Sequence, residues 1–176
     1  VFEVLNSRGL EVDWLDKCKT MLMGIAFETA SDKNTRDQQI EELHNRWSEI
    51  YRTIGITKIQ GHEILKIAAT LEDPFEPNRI KNAENAIAFF SDQCHQNPSQ
   101  IARITYGFLE IAESLKQLHE NTRLEAVINI LHTRLLAVAI MIKSSLSQDE
   151  RDKIMKQWEN ATFRIYGLFR KDSRTK

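Results

Sequence analysis

The amino-acid sequence predicts an all-α fold, a single bundle of about seven helices with no substantial sheet. Three observations carry that expectation. Apolar residues recur at three- and four-residue spacing through most of the chain, the period of one helix face. The 176 residues include only six glycines and three prolines, half or less of the usual ~7% and ~5%, which disfavours a turn-rich β architecture, a collagen or a flexible linker protein. Finally, Ser/Thr-x-x-Glu/Gln spacings stand at Thr35, Thr57, Thr122 and Ser147, where a hydroxyl and a carboxylate or amide can satisfy the first free backbone N–H groups of a helix reciprocally.

Taken in order, Asp13 opens a helix whose Leu15, Cys18, Leu22, Ile25 and Ala26 form one stripe, ending near Ala30. Thr35 and Gln38 then start an amphipathic segment carrying Ile40, Leu43, Trp47, Ile50 and Ile54, closed by Gly55 as a left-handed terminal residue. Thr57 and Gln60 introduce a third helix with Ile64, Leu65, Ala68 and Leu71. It must end by Asp73, because Pro74 disfavours helical geometry in the residue before it, so Glu72 through Asn78 reads as a loop. Pro77 is suited to start a helix with Ile80, Ala83, Ile87, Phe90 and Cys94, and Asn97-Pro98 caps and starts the next, with Ile101, Ile104, Phe108, Ile111, Leu115 and Leu118. Thr122 to about Lys143 is apolar on nearly every side in its second half, which predicts the central helix. The last helix, from Ser147, aligns Ile154, Trp158, Ala161, Ile165 and Phe169 and runs into the charged tail 171–176.

Lys+Arg of 24 against Asp+Glu of 25 leaves a formal charge of -1, which disfavours a globally basic nucleic-acid binder and leaves only local patches for polyanions. Cys18 and Cys94 lie in apolar-periodic stretches without paired spacing, so buried free thiols and a reducing cytoplasm are expected. The longest apolar run, Leu135 to Ile142, falls short of the ~20 residues needed to cross a bilayer, and no membrane association is expected. The chain opens on Val1-Phe2-Glu3 with neither an initiator methionine nor a charged-then-apolar leader, which is the pattern expected of a segment from a longer protein. Residues 1–176 are expected to form one domain: a loop motif and lead-in at 1–12, helices over 13–170, then the tail.

Several catalytic constellations are disfavoured. The five histidines, His44, His62, His95, His119 and His132, never adopt the His-Glu-x-x-His spacing of a zinc hydrolase. Glu41-x-x-His44 is half of a di-iron bundle motif and has no second copy. Cys94-His95 has no orienting third group nearby in sequence, and neither a Gly-x-Gly-x-x-Gly loop nor a P-loop occurs. Basic residues gather at Arg164, Arg170, Lys171, Arg174 and Lys176, with Tyr166 and Phe169 among them. Arg170, Lys171 and Arg174 read either as phosphate contacts or as solvated terminal charge.

The most informative stretch is Phe2-Glu3-Val4-Leu5-Asn6-Ser7-Arg8-Gly9, followed by Leu10-Glu11-Val12 and the helix start at Asp13. Asn6 and Gly9 tolerate positive backbone angles, so the chain can reverse there and hold Arg8 on a tight loop. Phe2, Asn6, Arg8, Gly9, Val12, Asp16, Lys19 and Leu22 together resemble the signature of the GmrSD restriction-endonuclease N-terminal domain family, with Lys17 replacing the family's usual leucine. The likeness covers roughly the first thirty residues well; beyond them only the helical character and the stretch Trp158-Glu159 to Phe163-Arg164 are similar.

The resemblance implies the helical part of a nucleotide-dependent bacterial defence protein acting on foreign DNA. In such proteins a ParB-like nucleotide-binding domain with an Asp-Gly-Gln-Gln-Arg motif lies upstream, and a His-Asn-His-type nuclease domain often lies downstream; neither motif occurs here. The nucleoside triphosphate and divalent metal are therefore expected in the parent protein, and this segment is expected to be structural or regulatory, without catalysis of its own. Asn6, Arg8 and Gly9 would form a nucleotide-associated loop, with the Arg8 guanidinium on phosphate oxygens. The other reading of these residues is local: Asn6 ends a helix and Arg8 pairs with a carboxylate such as Asp16. A helical protein–protein interaction module unrelated to nucleic acid is the alternative for the whole chain.

Overall fold

In the computed structural model, residues 13–55, 59–75, 80–125 and 130–168 are described, and every regular element among them is helical. The elements are α1 (Trp14–Thr29), α2 (Lys33–Ile54), α3 (Gly61–Glu72), α4 (Ala83–Gln96), α5 (Gln100–Glu120), α6 (Thr122–Glu125), α7 (Leu131–Ile142) and α8 (Gln148–Thr162), the last continued by a π-helical turn, Phe163–Leu168. The all-α expectation is met. The chain divides into two compact units, Val1–Leu109 and Glu110–Lys176, and the division falls within α5. No helix among the described residues is long and apolar enough to cross a membrane.

The first unit is organised by the stripe that the α1 periodicity predicts. Leu15, Cys18, Leu22, Ile25 and Ala26 are all buried. α2 adds Leu43, Trp47 and Ile50, and the rings of Trp47 and Phe90 each meet Phe108 edge-on, with centroids 6.0 and 5.1 Å apart. Each fully buried side chain of this size contributes roughly 1.5–3 kcal/mol relative to exposure. The most enclosed helix is α3, where Ile64, Leu65, Ile67, Ala68 and Ala69 are joined in the interior by Glu63 and Thr70.

In the second unit, Ile111, Ala112, Leu115 and Leu118 of α5, Ala137, Val138 and Ile140 of α7, and Trp158 of α8 are buried. Trp158 donates its indole N–H to the Thr133 carbonyl at 3.1 Å, which pins α8 to the start of α7. Arg151 does the same at the other end of α7, donating to the carbonyls of Ile140, Lys143 and Leu146 at 3.3, 3.1 and 3.4 Å. These acceptors lie at and just beyond the helix C-terminus, where carbonyls lack intrahelical partners.

Several boundaries differ from expectation for identifiable reasons. Asp32, not Thr35, caps α2: its carboxylate accepts the Thr35 backbone N–H at 3.0 Å and the Thr35 hydroxyl at 2.7 Å, so the helix begins three residues early. Gly55 is right-handed, at φ -65° and ψ -16°, and donates its N–H to the Tyr51 carbonyl at 2.8 Å. Thr57 and Pro77 lie outside the described residues. α3 begins at Gly61 after an extended Gln60, and α4 begins at Ala83 under an Asn82 cap, leaving Ile80 before the helix.

The long central helix expected from Thr122 to about Lys143 does not form as one element. Asn121 accepts from the backbone of Arg123 and Leu124 to start the four-residue α6, and Ile130 is extended at φ -111° and ψ 133° immediately before α7. Leu136 on α7 is 54% exposed, so α7 is not enclosed on all sides. The Ser147–Glu150 capping box forms as read from the sequence, with the Ser147 N–H donating to Glu150 Oε2 at 2.9 Å and the Glu150 N–H donating to Ser147 Oγ at 3.4 Å.

Candidate functional site

The N-terminal end of α1 is the point at which the motif-bearing stretch enters the helices, and the residues around it are unusually close. Asp13 sits at the N-cap of α1 but makes no side-chain capping bond there. Its Oδ2 instead lies against the first residue of α3: a Cβ built on Gly61 would fall 2.5 Å from that oxygen and 2.8 Å from the Leu15 Cβ. Only a residue without a side chain fits this approach, and it sets a carboxylate beside the electropositive start of α3.

One turn further along α1, Asp16 Oδ1 accepts the hydroxyl of Tyr51, near the end of α2. Burial, and then the Asp16 carboxylate, push the Tyr51 phenol above its ordinary value. Lys19 places its ammonium 5.8 Å from the centroid of the same ring. Two polar positions of the motif, Asp16 and Lys19, thus converge on one tyrosine, while Leu22 is fully buried. His62 follows Gly61, and burial, followed by the Lys66 ammonium, lowers its pKa against the opposing pull of Asp13 and Glu63. The corner therefore holds a retained phenolic proton and an imidazole biased to its neutral form. Those are properties of an anchor that fixes α1 against α2 and α3.

The other sequence candidates fall elsewhere. Asn6, Arg8 and Gly9 lie outside the described residues, as do Arg170, Lys171, Arg174 and Lys176. Glu41 and His44 are both exposed on α2, and among the described residues no group of three or more metal-ligating side chains converges. Cys18 and Cys94 are free and buried. Burial raises both thiols, Cys94 to about 11, the opposite of what a nucleophilic thiolate needs. His95, next to Cys94, turns its Nδ1 to the Ser91 carbonyl at 2.8 Å. Arg164 is exposed on the π turn.

Sequence reasoning missed Tyr51, Gly61 and His62. Their part depends on α1, α2 and α3 meeting, and the only local sign was a glycine placed immediately after a polar Gln60 at the head of an apolar run. Compared with known proteins, the chain matches no family model, no curated protein and no solved structure.

Proposed function

We propose that this chain is the helical segment of a nucleotide-dependent bacterial restriction or anti-phage defence protein acting on foreign DNA, structural or regulatory in role and catalytically inert alone. The observation that carries the reading is the Phe2-to-Leu22 pattern, which resembles the GmrSD N-terminal signature. The engagement of its Asp16 and Lys19 by Tyr51 supports the reading, because it gives the pattern's polar residues a mechanical purpose at the motif's exit. In this view Asn6, Arg8 and Gly9 stand beside a nucleoside triphosphate held with a divalent metal by an upstream domain. A bundle anchored at Asp16 then conveys that domain's state toward a downstream nuclease domain of the same polypeptide. Arg170, Lys171 and Arg174 would touch DNA phosphates, and the protein would work in the cytoplasm.

The test is nucleotide turnover. The 176-residue chain is expected to hydrolyse neither ATP nor GTP, while Arg8→Ala in the full-length gene product lowers turnover at least about tenfold. Hydrolysis by the isolated chain that disappears with Arg8→Ala overturns the inert-segment reading. DNA binding lost at high salt and on neutralising Arg170, Lys171 and Arg174 supports the phosphate-contact role; no binding at low salt rejects it.

A second reading, a protein–protein interaction module unrelated to nucleic acid, is favoured by one feature of the second unit. A groove of about 460 Å³ there is lined by Leu118, Leu124, Met141 and Met155 together with the polar Ser114, Gln117, Asn121, Gln148, Arg151 and Asp152. Adaptable methionines within a polar-rimmed groove suit an amphipathic helix of a partner.

A further inference from the structure

Within the first unit, α1, α2, the Pro98–Ser99 turn and α5 line an open pocket of about 140 Å³. Its apolar wall comes from Ala26, Leu43 and Ile101, and Ala102 stands at its edge. The volume is comparable to the ~150 Å³ that admits a benzene-sized molecule. The pocket is also lined by Glu42 and Arg46, one turn apart on α2. Opposite charges at this spacing ordinarily approach one another. Here no ion pair joins them: Glu42 Oε1 accepts from the Gln38 amide at 3.0 Å, and Arg46 donates from Nη1 to the Ala102 carbonyl at 3.0 Å. The Arg46 guanidinium also lies over the Tyr106 ring, 5.6 Å from its centroid, but a guanidinium has five N–H donors, so its one hydrogen bond leaves donors to offer at the edge, and the second carboxylate oxygen of Glu42 remains an acceptor. A carboxylate and a guanidinium held apart on one rim above a small apolar wall match the three parts of one class of molecule.

We infer that this pocket binds a small zwitterion, an α-amino acid with a short aliphatic side chain. Its ammonium group meets Glu42, its carboxylate takes the donors of Arg46, and its side chain lies against Ala26, Leu43 and Ile101. The inference is independent of the defence reading, since neither the motif nor a nucleotide enters it.

Calorimetric titration of the 176-residue chain with L-alanine and L-valine tests it, with isobutylamine and isobutyrate as ligands lacking one charge each. The expected result is saturable binding of the amino acids, with each single-charge analogue at least about tenfold weaker. Glu42→Gln and Arg46→Gln should weaken valine by a similar factor, and Ala102→Leu, which fills the pocket from an exposed position, should abolish binding while leaving the helical circular-dichroism signal unchanged. Should Arg46→Gln fail to fold, Glu42→Gln and Ala102→Leu decide the matter, since both positions are exposed. Absence of heat for either amino acid at ~10 mM, equal binding of isobutyrate, or binding untouched by Ala102→Leu would overturn the assignment.

Discussion

The Tyr51 hydroxyl of α2 and the Asp16 carboxylate of α1, 35 residues apart in sequence, form a phenol–carboxylate hydrogen bond. It is a polar tie between the first two helices, in the first turn of α1. Removing the donor by Tyr51→Phe leaves a part-buried carboxylate oxygen unsatisfied, and a loss of about 1–2 kcal/mol is expected, read as a lowered urea midpoint with an unchanged slope. The pH dependence has a defined sign. Tyr51 ionises above its ordinary value of 10.0 in the folded chain, so the folded state keeps the proton longer than the unfolded one. The tie is at full strength below pH ~10 and is lost as pH rises beyond that point, so the stability gap between wild type and Tyr51→Phe should narrow in alkali.

Gly61→Ala is expected to destabilise despite alanine's better helix propensity. The new Cβ would arrive 2.5 Å from Asp13 Oδ2 and 2.8 Å from the Leu15 Cβ, and Leu15 is fully buried and has little room to move. Overpacking of this kind costs ~1–3 kcal/mol, against a propensity gain of ~0.5–1 kcal/mol. A net loss in thermal midpoint is the expected outcome, and Asp13→Ala in the same chain should recover only part of it, since the Leu15 contact remains.

Asp73 and Lys81 form a buried ion pair at 2.6 Å across the connection between α3 and α4, with side chains 8% and 13% exposed. Asp73 Oδ1 also accepts the Phe75 N–H at 2.8 Å. Lys81→Met removes the ammonium that neutralises a desolvated carboxylate and should cost about 3 kcal/mol. Adding Asp73→Asn, which keeps an acceptor for Phe75, should return most of that loss; chemical denaturation of the two variants checks the order.

Arg151→Ala should loosen the end of α7. The guanidinium gathers three carbonyls at and beyond the helix end, of which that of Lys143 also accepts the Leu146 N–H, and a loss of ~1–2 kcal/mol is expected. Hydrogen exchange should show faster opening in α7 than in the first unit. Arg151→Lys should recover little, because one ammonium cannot reproduce a planar fork.

Features that depend on near neighbours were legible before the structure: the buried stripe of α1, the Ser147–Glu150 box, the end of α3 ahead of Pro74 and the burial of both cysteines. Where two neighbouring residues can both cap, local chemistry does not choose between them, and Asp32 outcompetes Thr35 by taking both its N–H and its hydroxyl. Periodicity also cannot say which apolar surface finds a cover. The run at 131–142 reads as the most buried helix, yet Leu136 is exposed and α3, with its mixed Glu63 and Thr70, is the enclosed one. The anchoring corner was the least legible, because Asp13, Asp16, Tyr51 and Gly61 acquire their relationship only when three helices meet.

The π turn at Phe163–Leu168 carries a consequence for the far end of the described chain. Hydrogen bonds that skip one residue further than usual wind the backbone more slowly, and one residue of slippage turns a helix face by roughly 100°. Trp158 and Thr162 still point inward, whereas Phe163, Ile165 and Leu168 emerge 50%, 43% and 62% exposed. The apolar residues that follow the buried Trp158 and Thr162 therefore end the described chain as an exposed surface carried on the π turn.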